Sequence, residues 1–154
     1  MTLYAIRFSP DSTSLEDAEV IDESRYGWKF LDQTIALWRL VDPQRADAIA
    51  AIQERASETP GDHTQFAGDD LAALVRLIDG VDDAIVAAGI VDRDWRVPPE
   101  RLDELARQVP GMDLTSERSL DSKTHALGEV MINAVSLRNF LAKALRAGCV
   151  VVHD

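Results

Sequence analysis

Hydrophobic positions divide the chain into an alternating opening, a series of helical stripes and an apolar close. In residues 2–9, Tyr4, Ile6 and Phe8 point one way and Leu3, Ala5 and Arg7 the other. A period of two predicts a half-buried strand. Ser9-Pro10-Asp11-Ser12 ends it. Residues 11–26 hold Asp11, Glu16, Asp17, Glu19, Asp22 and Glu23 against a single arginine. That composition predicts a surface loop, with one helical turn from Ser14.

The first helix is predicted over 27–41. Trp28, Leu31, Ile35 and Trp38 make one stripe, and Phe30, Thr34, Leu37 and Val41 the adjacent one. An apolar arc that wide implies burial around most of the circumference. Asp42-Pro43 stops this helix and starts another, because Asp caps well and proline loses no hydrogen bond at the first helical position. The second helix covers about 43–57, with Ala46, Ile49, Ile52 and Ala56 inward. Residues 58–63 form a loop. A third helix opens at Gly68-Asp69-Asp70, its stripe running Leu71, Leu74, Ile78, Val81, Ile85 to Gly89. Residues 92–97 alternate weakly and suggest a short strand. A short helix follows from Pro98 to about 108. The last helix runs from about Ser119 to Ala147, and Gly128 within it allows a kink at a cost of about 1 kcal/mol relative to alanine. Cys149-Val150-Val151-Val152 is apolar on both faces, which predicts a buried strand.

A lone buried strand leaves backbone groups unpaired. The opening (2–9) and closing (149–153) strands are therefore expected in one small sheet. The fold class is α+β, helix-dominated, with residues 1–154 as a single domain. The length of 154 residues suits one domain. No apolar run approaches the roughly 20 residues that cross a bilayer. The first residues lack the pattern of a signal peptide, and one cysteine permits no internal disulfide. The expected compartment is the cytoplasm, with no membrane partner. Thirteen arginines against three lysines, with many Ala and Asp, suit a GC-rich bacterial genome.

Acidic residues number 27 and basic ones 16, for a net charge of −11. Such a field repels a nucleic-acid backbone. The chain has no GxGxxG, no GxxxxGK[ST] and no GxSxG, so neither a glycine-rich phosphate loop nor a nucleophile elbow is indicated. No cofactor is expected. His125 and Glu129 are four apart, share a helix face, and could contribute two ligands to a metal, with His63, His153 or another carboxylate as the third. They lie beside the apolar stripe, however, and an ordinary surface ion pair is the simpler reading. Cys149 and His153 fall on one side of the closing strand, but a thiol in Cys-Val-Val-Val suits core packing better than catalysis.

The charge is uneven. Residues 61–95 hold Asp62, Asp69, Asp70, Asp79, Asp82, Asp83, Asp92 and Asp94 against Arg76 and Arg93 only. On a continuous helix, Asp79, Asp82 and Asp83 would be neighbours at i, i+3 and i+4, where like charges cost a few tenths of a kcal/mol per pair. A surface selected for stability alone would interleave lysines. The pattern points to a basic protein partner, because complementary charge speeds encounter and favours one partner over others. Asp69, Asp70, Asp79, Asp82, Asp83, Asp92, Asp94 and Trp95 are the candidate contact residues, with Trp95 between Arg93, Asp94 and Arg96 as an aromatic anchor. The leading expectation is a non-enzymatic module that neutralises or escorts a basic protein, with inhibition of a toxin domain, as in immunity proteins, its sharpest form. Alternatives are a small metal-dependent enzyme around His125 and Glu129, and a homo-oligomeric structural subunit.

Overall fold

The computed structural model describes residues 1–58, 65–115 and 117–154. The fold is helix-dominated α+β around a small antiparallel sheet. Strand β1 (Leu3–Arg7) is central and pairs with β2 (Glu19–Ser24) on one side and β4 (Val150–His153) on the other. A two-residue β3 (Gln65–Phe66) completes the order β2-β1-β4-β3. The opening and closing segments are thus adjacent, with Tyr4 opposite Val152 and Ala5 opposite Val151.

The alternation sorts the two faces. Leu3, Ala5 and Val151 join the helical core, while Tyr4, Ile6 and Val152 look out the other side. On the core side α2 (Pro43–Ser57), α3 (Gly68–Ile78) and α7 (Ala126–Arg146) contact the strands, α1 (Gly27–Val41), α4 (Val81–Ala87) and α6 (Leu120–Thr124) pack on these helices, and α5 (Leu102–Gln108) adds Leu102 and Leu105 to the same core. Buried side chains from these elements form one contiguous cluster. Helix α2 begins as its sequence dictates: Asp42 accepts the Arg45 N–H, and Pro43 occupies the first turn. Its buried residues are Ala46, Ile49, Ile52 and Ala56. In α1, Gln33 is only 1% exposed; it donates to the Pro110 carbonyl and accepts from Asn133 of α7. That bridge satisfies a buried amide and holds the turn after α5.

Four local expectations are corrected. Residues 19–24 are an edge strand rather than loop. Their acids hide the alternation, yet Asp22 reaches Lys143 of α7 at 2.8 Å and Glu19 sits opposite Arg7. The third helix is broken, because Asp79 is extended and Gly80 takes φ 78°. Periodicity could not reveal this, since Ile78, Val81 and Ile85 keep helical phase across the break. Residues 92–97 form a tight turn, not a strand. The last helix divides at His125: the Thr124 carbonyl accepts the Val97 N–H at 2.8 Å and leaves the helical ladder. Gly128 does not kink α7. It lies under Trp95, whose Cβ is 3.5 Å from where an alanine methyl would stand, an ordinary contact distance. The turn expected from Ser14 is present at Leu15–Asp17 with Ser14 as its cap. The loop expected at 58–63 lies mostly outside the described residues.

Candidate functional site

Two contacts set the course of α4 along α7. At its start, Asp79 pairs with Arg138 of α7 at 3.0 Å. Beyond its end, Trp95 rests on Gly128, ten residues earlier in α7. Ten helical residues span about 15 Å. Helix α4, with Asp82 and Asp83 in its first turn, and the loop carrying Asp92, Asp94 and Trp95 therefore lie along the first half of α7. Asp69 and Asp70 lie elsewhere. They open α3, roughly 15 Å from Asp79, and Asp70 pairs with Arg55 of α2 at 2.8 Å.

The loop builds itself from Asp92. Its carboxylate accepts the N–H groups of Asp94 at 2.8 Å and Arg96 at 3.0 Å, and the Trp95 N–H donates to its carbonyl. The Arg96 N–H, aided by that of Asp94 and by the nearby charge of Arg96, holds the Asp92 carboxyl below the usual range. Inside this turn Trp95 takes φ 59°, a region that bulky residues rarely enter. Its side chain forms one wall of an open depression of about 380 Å³ shared with Arg93, Asp94, His125, Glu129 and Ile132. Ile132 is 57% exposed there. Its position off the stripe of Leu127, Val130, Met131 and Ala134 was the signal for it, and sequence reading passed over it. On the far side of Arg96 a second depression of about 400 Å³ includes Val97, Pro98 and Leu120.

His125 and Glu129 do share one side of the chain, but different arginines engage them. Arg96 donates from Nε to His125 Nε2 at 2.9 Å and pairs with Asp121 at 2.7 Å. That bond uses the ring nitrogen a metal would take and requires the proton on Nδ1. Arg118 bridges Glu129 at 3.3 Å and Asp113 at 3.1 Å. Among the described residues, no three metal-ligating side chains converge; His63 lies outside them. The Cys149 thiol is buried against the Ala147 carbonyl. His153 packs its ring 4.9 Å from Trp28, four strand residues or about 13 Å further on.

Of the eight acidic-face candidates, three are occupied within the molecule: Asp70 by Arg55, Asp79 by Arg138 and Asp92 by its own turn. Among the described residues, Asp69, Asp82, Asp83 and Asp94 have no lysine or arginine partner within 4.0 Å. No family model matches this chain, and no curated protein or solved structure does. The geometry sets Asp94, with Arg93 next to it, beside an indole and an exposed isoleucine. No described helix is long and apolar enough to cross a membrane.

Proposed function

We propose that this chain is a non-enzymatic, acidic protein-binding module of the cytoplasm that neutralises or escorts a basic protein. Inhibition of a cationic toxin domain is the sharpest form of the reading. The observation that carries it is the placement of Asp82, Asp83 and Asp94, none paired with a described base, along the same stretch of α7 as Trp95 and Ile132. An aromatic anchor with an apolar neighbour supplies contact area, and surrounding carboxylates steer the approach. Asp70, Asp79 and Asp92 drop to supporting roles, because internal partners already use their charge.

The test is titration against the product of the adjacent gene, followed by calorimetry at two salt concentrations. A 1:1 complex whose association slows as salt rises supports the reading. Asp82→Lys with Asp83→Lys is expected to weaken it about tenfold or more, and Trp95→Ala by a comparable factor. Asp69→Lys, at the far end of α3, serves as the control. A loss from Asp69→Lys as large per charge as that from the Asp82, Asp83 pair, with none from Trp95→Ala, would reduce the effect to net charge and overturn the assigned face.

A further inference from the structure

The outer face of the sheet is a second surface, independent of the α4–Trp95 face. Tyr4, Ile6, Val20 and Val152 line an apolar depression of about 220 Å³ there, closed on one side by Leu15 and Ala18. Val20 is 58% exposed and Leu15 is 39% exposed. Both are large apolar side chains left in water on one patch, which marks an interaction surface. The patch runs to a sheet edge, since among the described residues β2 pairs only with β1. An edge strand can receive another strand through backbone hydrogen bonds, with alternate side chains filling pockets.

Charge selects the occupant. Residues 11–23 contribute six carboxylates and no base. Arg7, Arg25 and Lys143 approach Glu19, Glu23 and Asp22 from outside the segment. Asp11, Glu16 and Asp17 have no described lysine or arginine within 4.0 Å, and Asp154 adds another carboxylate at the rim. A second copy of β2 would bring the same acids face to face, where like charges destabilise pairing. The register shift between Ala5 and Ile6 further disfavours indiscriminate edge pairing. A strand that alternates basic and apolar residues avoids the charge repulsion, and the bulge at Ile21 limits its pairing to a short stretch of β2.

We propose that the β2 edge and the depression beside Val20 bind an extended, cationic segment of another protein by strand addition. Its apolar side chains enter the depression beside Val20, and its basic ones, on the alternate face of the strand, meet Glu19. The probe is an acetylated hexapeptide alternating lysine and valine, titrated into the full chain and followed by amide NMR. Expected are saturable shifts confined to β1, β2 and Leu15–Ala18, with slowed hydrogen exchange along Glu19–Ser24. Val20→Ser should weaken binding about fivefold by removing one apolar contact. A peptide with glutamate in place of lysine should not bind. Asp83→Lys on α4 should leave the Val20-dependent part of the affinity in place, which separates this surface from the face assigned above. Shifts spread evenly over all acidic residues, shifts limited to α4 and the Trp95 loop, or no shifts at all would each overturn the proposal. So would concentration-dependent self-association through β2, which would assign the edge to a second copy.

Discussion

Asp92 accepts two N–H groups of its own turn, and Trp95 three residues later is carried into the left-handed region. The carboxylate form is the better acceptor, so the folded loop depresses the Asp92 pKa. A depressed carboxyl contributes stability above its ordinary value of 3.8 and loses that contribution as pH falls through the lower folded value. Carbon-detected titration should place the Asp92 midpoint below 3.8. Acidification through that midpoint should speed amide exchange at Asp94 and Arg96. Asp92→Asn keeps an oxygen acceptor and should hold the loop at low pH, whereas Asp92→Ala should loosen it at every pH. If Asp92→Ala leaves the Trp95 fluorescence and the loop amides unchanged, the turn is not built on this carboxylate. The sequence showed Asp92, Asp94 and Trp95 as a polar stretch. It did not show the turn, because two weakly alternating apolar positions imitate a strand.

At the scale of elements, long stripes were legible and interruptions were not. Gly27–Val41 and Pro43–Ser57 match their predicted limits because the stripe, the Asp42 cap and Pro43 all agree. The opening and closing strands were legible through their alternation and their need for a partner. Strand β2 was not, since its register depends on β1 and on Lys143, which is more than a hundred residues away. The α3–α4 break has a test in its sign. Gly80 sits at φ 78° with open space where a Cβ would lie. Inside a continuous helix, Gly80→Ala would stabilise by about 1 kcal/mol. In the left-handed region it should destabilise by about 1–2 kcal/mol. Urea denaturation of the variant reads that sign directly, and a gain in stability would restore the single helix and with it the contiguous cluster of Asp79, Asp82 and Asp83.

Over the whole molecule, attraction and repulsion between charges compete, and their balance fixes the response to salt. Nine ion pairs are formed among the described residues, every side chain in them at least 34% exposed. Pairs that exposed contribute between nothing and about 1 kcal/mol each. Against them stands a net charge of −11. A chain of this length has a radius of gyration near 15 Å, while the screening length is about 30 Å at 10 mM salt. At low salt each unpaired carboxylate therefore repels nearly all the others, and unfolding relieves that repulsion by separating them. At about 0.5 M sodium chloride the screening length falls to a few ångströms, so the long-range repulsion vanishes while contacts near 3 Å keep part of their attraction. The thermal midpoint should accordingly rise by about 3–6 °C between 10 mM and 0.5 M salt, corresponding to roughly 1–2 kcal/mol. A falling midpoint would mean that the internal ion pairs outweigh the excess. The surface field available to a basic partner would then be smaller than the net charge implies, since the same carboxylates cannot be both neutralised at home and free to steer an encounter.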